Sequence, residues 1–176
     1  DGYFLIKRSW SAGDKVTLDL PMPVRRVVAN ENVAEDRGRV AVECGPIVYC
    51  AEWPDNKDGN VFNILLEDSA PLSTEWRGDL LNGVKVVTGK AIGLRKESKD
   101  GPFIREEQEI TLIPYYAWAH RGKGQMAVWL AHNEDAAKAS IPGDLTAEAV
   151  TSASANPDMA KMAAMPDDPV GPYHPA

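Results

Sequence analysis

Carboxylates are the side chains of this sequence with the widest scope for chemistry, with 26 Asp and Glu against 19 Lys and Arg. Glu43, Glu52, Asp55 and Asp58 crowd one strand-and-loop stretch, and Glu106, Glu107 and Glu109 crowd another. Two carboxyls roughly 5–10 Å apart, one of them held protonated, are what hydrolysis of a glycosidic bond requires. In so acidic a chain, however, such neighbours arise by chance, and solvated surface acids account for most of them. No catalytic residue is assigned on this basis.

Other reactive groups are sparse. His120, His132 and His174 have no ligand-like spacing, and Cys44 and Cys50 do not form a C-x2-C pair. Six positions apart in one extended strand, the cysteines would stand about 20 Å from each other, beyond the roughly 7 Å reach of a disulfide. They read as small buried hydrophobes, and no metal site is expected. There is no G-x-S-x-G, and Gly122-Lys123-Gly124 lacks the strand-loop-helix context of a phosphate loop. Tryptophans remain, at positions 10, 53, 76, 118 and 129. An exposed indole face stacks on a sugar ring, whereas a buried one is packing. Trp53 and Trp76 lie in loop-like contexts and are the candidate substrate-binding residues; Trp118 and Trp129 read as strand residues.

The net charge of −7 repels polyanions, and no basic cluster offsets it, so nucleic acid is a poor partner. Apolar runs fall well short of the roughly 18 residues of a membrane helix. Compartment is not legible from these features. The sequence opens at Asp1 and runs straight into a strand-like stretch without a signal-peptide pattern, as though it begins inside a domain.

The elements that would position these residues are strands. Val16, Leu18 and Leu20 alternate with polar residues, and residues 3–10 make a partner across the turn at 11–14. Residues 24–28 follow the Pro21-Met22-Pro23 break. Val40, Val42 and Cys44 share one face, Gly45-Pro46 breaks or bulges that strand, and residues 47–51 continue it. Residues 62–66 suggest a short strand and 69–81 are ambiguous. Residues 84–88, then a hairpin of 91–94 with 104–109, then a long strand over 110–118 and an alternating stretch over 126–131 complete the series. No helical period is evident before residue 134. This spacing predicts an all-β fold, an antiparallel β-sandwich of jelly-roll or Ig-like layers, with a largely irregular C-terminal tail. Residues 134–176 are expected to be linker or tail, or the start of a further domain, with one short helix over 158–165.

Several blocks carry a resemblance. Asp1-Gly2-Tyr3-Phe4, then 8–14 (Arg-Ser-Trp-Ser-Ala-Gly-Asp) and 18–22, then 38–50 with Glu43-Cys44-Gly45-Pro46-Ile47-Val48-Tyr49-Cys50, then Ile113-Pro114-Tyr115-Tyr116-Ala117-Trp118-Ala119 and Met126-Ala127-Val128-Trp129-Leu130 resemble the C-terminal part of glycoside hydrolase family 127. That family includes β-L-arabinofuranosidases. The likeness spans residues 1–131 and keeps the family's block order.

The resemblance implies an N-terminal (α/α)6 barrel with a cysteine-thiolate nucleophile and a zinc ion held by cysteines and a glutamate, followed by β-sandwiches. The family's adjacent-cysteine motif is absent here, so no catalytic residue carries over and no cofactor is expected on this chain. Residues 1–33 would be the closing strands of a first sandwich and 34–133 a second. The expected function is non-catalytic support of the barrel in plant-polysaccharide breakdown, with that barrel as partner and arabinose-containing glycans as a further one. The alternative is an independent carbohydrate-binding module using exposed tryptophans.

Overall fold

The computed structural model describes residues 3–98 and 100–141. Strands dominate it: β1 (Val24–Val28), β2 (Arg39–Cys44), β3 (Ile47–Glu52), β4 (Ile64–Leu65), β5 (Leu72–Arg77), β6 (Val84–Lys96), β7 (Phe103–Pro114), β8 (Met126–Ala127) and β9 (Leu130–Ala131). The helix α1 (Glu134–Ser140) follows them. The fold is all-β and sandwich-like, as expected, with one parallel contact, β4 on β9.

The pairings close on themselves. One edge of β2 carries β1 (Val42 opposite Arg26), while the other is shared by β9 (Val40 opposite Leu130) and β3 (Val42 opposite Tyr49). From β3 the path runs through β7, β6 and β4 to β9, and so back to β2. Closure leaves few free edges on the ring itself. Inside it lies the main core, with Val40, Val42, Tyr49, Ile64, Leu66, Val87, Ile110, Leu112 and Leu130.

Residues alternate across a strand, so the intervening positions face outward, and here they are buried as well. Cys50, Val84, Val86 and Ile113 lie under Ala117 and the loop beyond it. Leu65, Leu94 and Ala131 lie under Ala137 of α1. Burial on both faces is why 47–51 and 110–114 read as continuous apolar runs rather than alternating ones.

Four expectations are corrected. Gly45-Pro46 does not bulge one strand. It is the two-residue loop of a hairpin, with Cys44 opposite Ile47 and Gly45 at φ 58°, a conformation glycine adopts without penalty. Cys44 and Cys50 therefore belong to different strands, and both are free and buried. Next, 91–94 and 104–109 are the distal part of one long hairpin, registered from Val87 opposite Leu112 to Lys96 opposite Phe103. The apolar run after residue 110 stops being strand at Pro114, and Tyr115–Ala117 form a 3-10 turn.

The ends also differ. β1 pairs with β2 along its full length, so residues 24–28 join the second unit rather than the segment 1–33. Residues 134–141 are not tail, because α1 is capped by Asn133, whose Oδ1 accepts from the Ala136 N–H at 2.9 Å, and it packs Ala137 into the fold. Residues 3–23 form no strand; the expected hairpin retains only its turn, where the Asp14 N–H donates to Ser11 O at 3.1 Å. The helix expected over 158–165 lies outside the described residues.

Candidate functional site

The loop that covers the outer face of β3 and β7 is tied down by a buried ion cluster. β3 ends at Glu52, which is 1% exposed. Its Oε1 accepts the Ala119 N–H at 2.9 Å, and its Oε2 accepts from Arg121 Nε at 3.1 Å. Asp55 sits one 3-10 turn later (Trp53–Asp55), and its Oδ1 accepts from Arg121 Nη1 at 2.6 Å. The Nη2 of Arg121 donates to both carboxylates at once. Bonds from Asp55, and then from Glu52, hold the guanidinium charged well above arginine's already high range.

Asn56 braces the same corner. Its Nδ2 donates to Glu52 O at 2.8 Å and Thr111 O at 3.2 Å, while its Oδ1 accepts the Thr111 N–H at 3.3 Å. Beside it, burial pushes the Cys50 thiol up to about 12, with the charge of Glu52 adding to the effect. A thiol that stays protonated is a poor nucleophile and a poor ligand. The Tyr49 hydroxyl is likewise pushed up to about 12 by burial and donates to Lys85 O at 2.9 Å.

The structure therefore brings together two of the acids singled out from sequence, Glu52 and Asp55, and places a cation between them. General acid–base work needs a carboxyl with a free oxygen facing a substrate. Here the oxygens of Glu52 are committed to Ala119 and Arg121, and those of Asp55 to Arg121. Glu43 is elsewhere, bonded to Arg25 at 3.2 Å. Glu106 is elsewhere again, and its bond to Lys57 at 2.6 Å holds it below the usual carboxylate range. Asp58, Glu107 and Glu109 are exposed. His132 meets Asp68 at 3.1 Å, and His174 lies outside the described residues. Among the described residues no group of three His, Cys, Asp or Glu could hold a metal ion.

The two candidate tryptophans are placed differently. Trp53 is half-buried, its indole against Gly124 and its Nε1 without a hydrogen-bond partner in the protein. Trp76 is 67% exposed on β5, its ring over Gly83. Sequence reading missed the residues that shape this corner. Arg121 and Asn56 were not singled out, and Tyr115, Tyr116 and Trp118 looked like strand. The three rings are instead exposed on the turn after β7, with Tyr115 and Trp118 6.1 Å apart between centroids and 13° from parallel. Proline at 114, which ends ladder pairing, was the available signal for that turn.

Comparison with known proteins gives one consistent result. Residues 24–131 match the model of the glycoside hydrolase family 127 C-terminal domain. A non-reducing end β-L-arabinofuranosidase of Bifidobacterium longum subsp. longum is 38% identical over 132 residues, 68% of this chain and 20% of the relative. Among solved structures, a family 127 β-arabinofuranosidase is 50% identical with a TM-score of 0.61, covering 65% of this chain and 18% of its own. A family 127 β-L-arabinofuranosidase from Geobacillus stearothermophilus is 38% identical with a TM-score of 0.58, covering 63% and 18%. The chain thus spans about a fifth of the relatives it matches. It belongs to glycoside hydrolase family 127, whose C-terminal domain it carries at residues 24–131.

Proposed function

We propose that this chain is the non-catalytic C-terminal β-sandwich part of a β-L-arabinofuranosidase-like glycoside hydrolase, supporting a catalytic barrel that breaks down plant polysaccharides. The observation that carries this reading is the Glu52–Arg121–Asp55 cluster. These two carboxylates share one guanidinium, and all four of their oxygens are hydrogen-bonded, which suits a brace and not an acid–base couple. The zinc that the family resemblance brings to mind does not fit the described residues. Cys44 and Cys50 are buried in different clusters, and the Cys44 Sγ donates to Met22 O at 3.2 Å. Zinc and nucleophile are assigned to the barrel.

Residues 3–23 fit the same reading. Tyr3, Phe4 and Leu5 are 95, 90 and 86% exposed, and Val16, Leu18 and Leu20 are exposed with them. Apolar residues with nothing to cover them are expected of closing strands whose sandwich lies on other polypeptide. Assay of the purified chain on an aryl β-L-arabinofuranoside, with and without added zinc, tests the function. The expected result is no turnover, and zinc-dependent release of the aryl group would overturn the reading.

One observation favours a second reading, a glycan contact by the chain itself: the exposed indole of Trp76. Calorimetric titration with arabino-oligosaccharides should then give heat that Trp76→Ala abolishes and Trp53→Ala reduces.

A further inference from the structure

We infer that Tyr115, Tyr116 and Trp118 form the seat on which the remaining polypeptide of the same protein docks. This rests on the reading of the chain as the C-terminal part of a larger enzyme. The three rings are 46, 68 and 40% exposed, and they sit on four consecutive positions of one turn. Large aromatics so concentrated on a folded surface mark a place where something else packs.

The shelf is rigid. Ala117, within the turn, is buried against Cys50, Val84, Val86 and Ile113. Immediately after Trp118, Ala119 adopts φ 67° and gives its N–H to Glu52, and Arg121 clamps the chain to Glu52 and Asp55. A residue other than glycine at positive φ is strained, and the buried carboxylate compensates by holding it. Such a brace presents the rings in one orientation, which lowers the entropy lost when they are covered.

Two features select a protein occupant over a sugar. A sugar site needs polar groups directed at hydroxyls beside the aromatic faces. The charged groups that hold this turn in place, Glu52, Asp55 and Arg121, are consumed by one another and by Ala119 and are not directed at a ligand. The second feature is continuity with the exposed segment of residues 3–23. Its last residues are anchored at the Gly45 turn, where Met22 lies against Gly45 and the Gly45 N–H donates to Pro23 O at 3.1 Å. That turn leads straight into β3, the strand beside which the aromatic turn packs, with Tyr49 opposite Pro114. Both exposed apolar groups are therefore mounted on one strand. The matched relatives are about five times as long as their shared region, so ample chain exists to cover both.

Hydroxyl-radical footprinting with mass spectrometry tests this on the chain alone, on the chain with excess arabino-oligosaccharide, and on the full polypeptide of which it is the C-terminal part. The expected result is a several-fold drop in oxidation of Tyr115, Tyr116 and Trp118 in the full polypeptide alone. Equal oxidation in chain and full polypeptide would overturn the inference. Protection by the oligosaccharide would overturn it in favour of a glycan site, and protection that grows with concentration of the chain alone would overturn it in favour of a second copy. Tyr116→Ser provides an independent readout. It should leave the unfolding midpoint of the chain alone unchanged and lower that of the full polypeptide; equal effects in both would count against docking. Activity of the isolated chain, which bears on the non-catalytic reading, is measured separately.

Discussion

Replacing Arg121 with methionine keeps much of the side chain's volume and removes the cation from between Glu52 and Asp55. Glu52 is 1% exposed and would be left buried with one hydrogen bond, from Ala119, and no counter-charge. Breaking a buried pair from one side costs about 3–5 kcal/mol. The Arg121 side chain is 20% exposed, so some water reaches the site and the lower end, about 3 kcal/mol, applies. For a fold of this size that corresponds to roughly 10 °C in the unfolding midpoint. Differential scanning calorimetry at neutral pH reads it directly. Lys57→Met, which removes the exposed pair with Glu106, should leave the midpoint within error. Adding Glu52→Gln to Arg121→Met removes the more deeply buried of the two stranded charges (1% exposed against 12% for Asp55) but keeps an acceptor for Ala119, so the double variant should recover at least half of the loss. An Arg121→Met midpoint no lower than that of Lys57→Met, or a double variant less stable than the single one, would refute the claim that this cluster is a buried brace.

Gly124→Ala would drive a methyl into the indole of Trp53, and overpacking of this kind costs about 1–3 kcal/mol; the midpoint should fall and the near-ultraviolet circular dichroism should change, while an unaltered protein would contradict the contact. At the β5–β6 turn, the bond from Arg77 holds the Asp79 carboxyl down at about 2, with a backbone bond adding to it. A carboxylate depressed in the folded state contributes its stabilisation above the unfolded value of 3.8 and loses it as pH falls from there towards about 2. Arg77→Met should therefore raise the Asp79 titration midpoint towards 3.8 in a carboxyl-detected NMR titration, and a value still near 2 would show that Arg77 is not the cause.

How much was legible depended on whether the signal was local. The alternation of Val40, Val42 and Cys44 and of Val84 and Val86 revealed strands because period two is written along the chain itself. β5 was ambiguous because only its ends, Leu72 and Arg77, are partly covered and its four middle residues face solvent, so no apolar stripe marks it. α1 was missed because a seven-residue, alanine-rich segment buries Ala137 alone and carries too few large apolar residues for a helical period. The sandwich-like class and the family likeness needed only pattern and word order. The cover over the outer face of β3 and β7 needed more, since continuous apolar runs say that both faces are buried but not by what.

The sequence alone determined that this chain builds β-structure with turns at Gly, Pro and Asp, and that it belongs with family 127, because local conformational preference and residue order are intrinsic to it. Only the tertiary structure decided the roles of the charged and aromatic residues. Glu52 and Arg121 are 69 positions apart, and whether a carboxylate acts as an acid or as a brace depends on what burial places beside it. The same holds for Trp53 and Trp118, two alike indoles, one packed beneath a glycine and one left facing outward.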